Sequence, residues 1–484
     1  MTTAARLAAR ERLLDAELAT VLRGKAALAR PRRSRWAAAA ILLGVLATAS
    51  TALLHRSLRL AQDPQAITVP PLPPEWIHTD SRAELDLVPA DAVALHCKLS
   101  RPEDLALLQR LTALRQLSIA PIGARIGGKT VFQDRSWQEL APDWLAPLTA
   151  LPMLESLRLP GSLSVDAKHL AALATAPKLH ELTLGGTEVR IDDALARAMA
   201  SLPQLRSLVL MQTPVDVAQI RALQHCPLRE LTLWGNDGVD EAVIGASSAL
   251  RHLRSLKLCD FGAPPLDPAQ AATWRPTAAA IASLGTLPEL RTLAFAGSAV
   301  DDDVLAAIPA TITRLELYST SGYTAAGLRG LRRLAGLRSL RLRERHGYAL
   351  FDQHRIAPHE LAGALVDLLG TVCLQHLDFT GWPTPELLAA LAAQPDLHSL
   401  TLFRAAETSP PPLPDFELLA SAPRLATLRL LSLKVAAEDL APLAACKSLR
   451  RVDLLYCHVD PDAIRKLLPG VTLEIRELAP PKPR

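Results

Sequence analysis

One phrase, L-x-x-L-x-L, returns along most of this chain and limits what the chain can fold into. It stands as LRQLSI (114–119), LESLRL (154–159), LHELTL (179–184), LRSLVL (205–210) and LRELTL (228–233). It continues as LRSLKL (253–258), LRTLAF (290–295), ITRLEL (312–317), LRSLRL (337–342) and LQHLDF (374–379). LHSLTL (397–402), LATLRL (425–430) and LRRVDL (449–454) are the last clear copies. Ala92, Leu95 and Cys97 read as an earlier copy, and VTLEI (471–475) as a closing strand. Where no insertion intervenes the spacing is 22–26 residues.

The period of two in x-L-x-L-x sends the leucines to one face of a strand and the intervening residues to the other. Ala/Leu-rich segments follow, such as DDALARAMASLP (192–203) and DDDVLAAIPA (301–310), in which acidic residues open a helix. A unit this small cannot bury its apolar face alone. Stacked units make a continuous core and a curved solenoid of α/β class, parallel strands on the concave side and helices on the convex side. These residues resemble the leucine-rich-repeat family, whose period and core pattern match. The resemblance spans about 380 of the 484 residues. Members of the family often carry Asn three residues after the last leucine. Here Thr187, Thr213, Asn236, Ser298, Thr320 and Cys457 hold that place, a mixed usage similar to the longer-repeat branches.

Composition fits thin repeated layers: apolar residues reach 49% but aromatics only 4%, so Leu, Ala and Val must fill the core. Residues 1–60 hold 11 Lys and Arg against 3 Asp and Glu, so the formal +4 of the whole chain leaves the rest at −4. That mildly acidic body argues against a nucleic-acid surface. The six cysteines show no CxxC pairing, and buried free thiols are expected, without zinc or a disulfide framework.

WAAAAILLGVLATASTALL (36–54) carries no charge over 19 residues, nearly enough helix to cross a hydrocarbon core of ~30 Å. Arg23, Lys25, Arg30, Arg32, Arg33 and Arg35 precede it, which predicts a cytoplasmic N-terminus and an extracytoplasmic repeat domain. The rival is a cleaved leader at Ala47-Thr48-Ala49, although 35 residues are long for a region ahead of the apolar run. The expected organisation is therefore a basic, amphipathic segment (1–35), a transmembrane helix (36–54) and a Pro-rich linker with an N-terminal cap (55–91). The repeats (92–478) and a disordered tail (479–484) follow.

The residues between and after the leucines form columns on the strand face away from the core. Met211, Trp234, Lys257, Tyr318, Arg341, Arg343, Phe403 and Arg429 stand there, and Trp, Tyr and Arg are common interface anchors. Folding of the following loop back over them is the competing expectation. Strand spacing jumps to 40 after Leu117, to 37 after Leu256 and Leu340, and to 28 after Leu400. All four insertions fall after the strand, on the rim beside this column, and insertions gathered on one face often mark a binding face. The resemblance implies a non-enzymatic protein or peptide binder without naming the ligand. A cell-envelope glycan binder is the alternative.

GARIGGKT (123–130) matches a phosphate-loop pattern through Gly123, Gly128, Lys129 and Thr130. A Gly-Gly pair between Ala-Arg-Ile and Lys-Thr-Val-Phe reads better as a two-residue hairpin turn, because Thr130, Val131 and Phe132 favour a strand. A nucleotide-binding role is therefore disfavoured. No cofactor, metal site or catalytic set emerges; His354 and His359 lack the H-E-x-x-H pattern. SPPPLP (409–414) reads as a rigid loop, with a polyproline ridge as the less favoured alternative.

Overall fold

Alternation settles the strands. In LRSLKL, Leu253, Leu256 and Leu258 are at most 1% exposed, while Ser255, Lys257 and Cys259 lie on the opposite face. The computed structural model describes residues 76–476, apart from 122, 127–128, 133–136, 138–139, 160–162, 164, 187–190, 237–238, 260–274, 319, 321, 344–355, 382, 404–415, 432, 434 and 458.

The strands begin with β1 (Ile77–Thr79), β2 (Ala94–Leu99), β3 (Gln116–Pro121), β4 (Gly123–Ile126), β5 (Lys129–Phe132) and β6 (Ser156–Leu159). They continue as β7 (Glu181–Gly185), β8 (Ser207–Met211), β9 (Glu230–Trp234), β10 (Ser255–Cys259), β11 (Thr292–Ala296) and β12 (Arg314–Tyr318). Then come β13 (Ser339–Arg343), β14 (His376–Thr380), β15 (Ser399–Phe403), β16 (Thr427–Leu431), β17 (Arg451–Leu455) and β18 (Thr472–Arg476). All but β4 and β5 form one 16-stranded sheet in chain order. Pairing is parallel and keeps equivalent leucines level, as with Leu231, Leu256 and Leu293. This is a leucine-rich-repeat solenoid.

Short helices run between the strands, most of them packed on a neighbouring helix. The acidic residues read as helix openers are N-caps. Asp192 accepts the Leu195 N–H at 2.7 Å ahead of Asp193–Ala200, and Asp301 accepts that of Val304 at 2.9 Å ahead of Asp302–Ala307. Asp216, Asp240, Thr277, Thr324 and Thr384 cap their own helices in the same way. Each satisfies an amide that the first helical turn leaves without a partner. Between sheet and helices the leucines merge into one core from Leu85 to Leu468.

The turn after each strand also repeats. Gly186 and Gly235 adopt φ of 102° and 59°, and so do the non-glycines Gln212 and Tyr456 at 52° and 60°. This left-handed residue aims its N–H at the last carbonyl of the next strand: Gly186 to Met211 at 2.9 Å, Gln212 to Trp234 at 2.8 Å. One residue on, the mixed Thr/Asn/Ser/Cys place makes only a partial ladder. Asn236 Nδ2 donates to the Thr213 carbonyl at 2.8 Å and Cys457 Sγ to that of Leu430 at 3.5 Å. The buried hydroxyls of Ser298 and Thr320 find no hydrogen-bond partner among the described residues. Thr187 lies outside those residues.

The strand β1 and the helix Arg82–Asp86 fall inside the stretch expected as linker and cap, and β1 pairs with β2 as part of the main sheet. The expected cytoplasmic segment, membrane helix and terminal tail lie outside the described residues. Among those described, no helix is long and apolar enough to cross a membrane. Five of the six cysteines are buried free thiols as expected, whereas Cys373 is exposed. It sits in the turn between the helix Pro358–Leu369 and β14, where no leucine position requires it to point inward.

Candidate functional site

The sheet face away from the helices carries the column expected to bind. Because the register is level, residues between the leucines of successive copies stand side by side, about 4.8 Å apart. Three regions follow from their chemistry.

At the N-terminal end, His78, His96, Ser118 and Arg158 are successive neighbours. His96 Nδ1 lies 2.9 Å from Ser118 Oγ, the His78 and His96 rings are 5.3 Å apart, and the Arg158 guanidinium lies over Trp76 at 5.9 Å. Burial, then the neighbouring His78, Lys98 and Arg158, push the His96 pKa down to about 4.

The middle, across β7 to β11, is mostly uncharged: Thr183, Val209, Thr232 and Ala294, with Lys257 between the last two. In the adjacent row Met211 stands beside Trp234, then come Cys259 and Ala296, then Tyr318. Met211, Trp234 and Tyr318 are half-buried while Cys259 and Ala296 are buried. Two small residues between Trp234 and Tyr318 leave a low floor three strand spacings wide, roughly 14 Å. Phe403 is also half-buried but stands beyond Arg343 and Thr380, away from the other aromatics. The register thus brings Met211, Trp234, Lys257 and Tyr318 together and leaves Phe403 apart.

From β12 onward the face is ionic. Arg341 donates to Glu316 on one side at 3.2 Å and to Asp378 on the other at 3.1 Å. Arg343 holds both oxygens of Asp378, at 2.8 and 2.7 Å. Arg429 reaches Asp453 at 2.8 Å, and Arg451 bridges Asp453 and Glu474. Burial works against the charges on Arg341 and Asp378. Glu316 and Asp378 outweigh it for the arginine, and Arg343 and Arg341 do so for the carboxylate, which stays below its ordinary range. Arg341, Arg343 and Arg429, expected as partner contacts, therefore have their charges answered within the chain. The pairing partners were visible in sequence as alternating signs at one position of successive copies: Glu316, Arg341, Asp378, then Arg429, Asp453.

Lys257 differs. It is 2% exposed, yet it makes no hydrogen bond or ion pair among the described residues, since its strand neighbours are Thr232 and Ala294. Burial lowers its pKa and Arg341 adds to that, while the fields of Glu316, Glu230 and Cys259 oppose it.

The long connections leave from the C-terminal ends of β3, β10, β13 and β15, which lie along one edge of a parallel sheet. The expected insertions after β10, β13 and β15, with His354 and SPPPLP, fall almost wholly outside the described residues. His359 is in the first turn of the helix Pro358–Leu369. After β3 the hairpin is present: β4 and β5 pair antiparallel, with Ile126 opposite Lys129. Gly123, Lys129 and Thr130 are on its two strands, and Gly128 lies outside the described residues. A phosphate loop needs Gly-Lys-Thr to open a helix after a buried strand, and here Lys129 and Thr130 begin a strand. Beyond the hairpin, Trp137 was not foreseen as core. It is 1% exposed, donates Nε1–H to the Ser100 carbonyl at 2.9 Å and meets Trp144 edge-on at 5.8 Å. No group of His, Cys, Asp and Glu among the described residues is arranged to hold a metal.

No protein-family model matches the chain, and no curated protein matches it. Among solved structures it is similar to an internalin from Listeria monocytogenes at 16% identity, covering 76% of this chain and 82% of that one, with a TM-score of 0.29. It is also similar to TLR13 in a complex with ssRNA13 at 17% identity, covering 81% of this chain and 46% of that one, with a TM-score of 0.36. The chain thus spans less than half of that TLR13 chain.

Proposed function

We propose that this leucine-rich-repeat chain is a non-enzymatic binding protein that captures a protein or peptide on the sheet face away from its helices and the neighbouring rim. One observation carries the reading. Met211, Trp234 and Tyr318 stay half-buried around a floor of small residues, on the edge from which the long connections depart. Large apolar groups in such a setting gain most when a partner removes their remaining water. The charged stretch from β12 to β18 is neutralised internally and serves to stiffen the face.

The proposal extends to a single membrane anchor at 36–54, with the repeats outside the cytoplasm. Its support is the uncharged run and the basic cluster before it.

Crosslinked pull-down from membranes tests the binding reading. Trp234→Ala and Tyr318→Ala should reduce partner capture while lowering the melting temperature little. Strong destabilisation with unaltered capture would make them core residues, and retention of cell-wall polysaccharide in place of protein would favour a glycan binder. Digestion of the repeats by protease added to intact cells tests the orientation.

A further inference from the structure

On the sheet face away from the helices the half-buried arginines Arg341, Arg343, Arg429 and Arg451 each meet a carboxylate on their own or a neighbouring strand, and Lys257 breaks the pattern. Its flanking residues are Thr232 and Ala294, its ammonium has no ion pair or hydrogen bond among the described residues, and Glu230 and Glu316 act on it only through their fields. On the same strand, two residues before it and facing the same way, the buried Ser255 hydroxyl also lacks a hydrogen-bond partner among the described residues. A lysine that is 2% exposed and a buried hydroxyl, neither with a partner among the described residues, make a donor pair without an acceptor.

We propose that Lys257 is the anchor for an acidic side chain of a peptide partner, the partner supplying the carboxylate that this position of the ladder lacks. The proposal rests on the peptide-binding reading above and names the chemistry of its central contact. The flanks fit an acidic residue with apolar neighbours. Trp234 and Tyr318 stand on either side of the low floor formed by Cys259, Ala294 and Ala296, and Met211 extends the apolar side. Specificity follows from the burial. A carboxylate reaching a lysine that is 2% exposed loses most of its water, and pairing with the ammonium offsets the loss, whereas a neutral group leaves the lysine unanswered. A basic group would meet repulsion.

The test is selection from a display library of random linear peptides on the intact full-length protein, followed by affinity measurement on two variants. Lys257→Met keeps the length of the side chain and removes the charge. Ala294→Leu fills the floor and leaves the lysine in place. Enriched peptides should carry Asp or Glu at one fixed position beside an apolar residue. They should bind Lys257→Met at least about tenfold more weakly, and Ala294→Leu weakly as well. The melting temperature of Lys257→Met should hold or rise, because an unpaired buried charge is gone. Enriched peptides without an acid preference, or with equal affinity for Lys257→Met, overturn the anchor while leaving the peptide-binding reading intact. Absence of any enriched peptide overturns both.

Discussion

Arg341 donates from Nε to Asp378 Oδ2 at 3.1 Å although the two residues are 37 apart in sequence, because β13 and β14 place them level with each other. Asp378 also receives Arg343, so one carboxylate answers two guanidinium groups. Asp378→Ala leaves both arginines with less than their charge requires. Discounting for their partial exposure, it should destabilise by about 2–4 kcal/mol. The urea midpoint reads the loss, and an unchanged midpoint would show that the ladder adds nothing.

The buried histidines set an acid limb of their own. Burial lowers His96 to about 4, with His78, Lys98 and Arg158 adding to the effect. Burial likewise lowers His376 to about 4, with Arg314, His398 and Arg341 adding to it. Both groups start from 6.5, so below that pH the unfolded chain binds protons that the folded chain refuses. Stability should be fully present above pH 6.5 and decline as the pH falls toward about 4. Asp378, also depressed when folded, adds its loss only below its ordinary 3.8. Melting curves of the wild type and His376→Gln check this, and the variant should show the shallower decline between those limits.

Gly327 has a packing reason to be glycine. A Cβ there would lie 2.0 Å from Asp302 Oδ1, and that carboxylate is held by the Thr324 N–H at 2.7 Å and the Thr324 hydroxyl at 2.6 Å. Gly327→Ala must push Asp302 aside and break both bonds, costing about 1–3 kcal/mol. Adding Asp302→Ala should make the pair less damaging than the sum of the single changes, which a double-mutant cycle measures.

Trp137 ties the long connection after β3 to the repeats. Trp137→Ala removes the bond to Ser100 and the edge contact with Trp144, and should cost about 3–5 kcal/mol. Lys129→Ala, on the hairpin strand β5, should leave the melting temperature nearly unchanged. Comparable losses from both would mean that the hairpin itself braces the fold.

What could be read in advance was local. The leucines declare the strands because their spacing is two, the aspartates declare helix starts because capping acts within three residues, and the glycine pair declares a hairpin because a turn is four residues long. Pairings that cross the sheet are legible only as alternating signs at one position of the aligned copies. Arg341 and Asp378 meet only once insertions of unequal length are discounted and the strands brought level. Trp137 belongs to no periodic position, so nothing near it in sequence marks it as core. Lys257 is the reverse case: the chain names it in the column, but its lack of an acid neighbour appears only when Thr232 and Ala294 are placed beside it.

Strand order follows chain order without exception across the sixteen-stranded sheet. Tension applied at the two ends of the repeats therefore loads one rung at a time, since each rung grips only the next. Such a chain yields like a zip, in a train of small steps without a single rupture. The cross-links of charge from β12 onward add a second tie between neighbouring rungs, so those rungs should part at higher force than rungs held by backbone pairing and core packing alone.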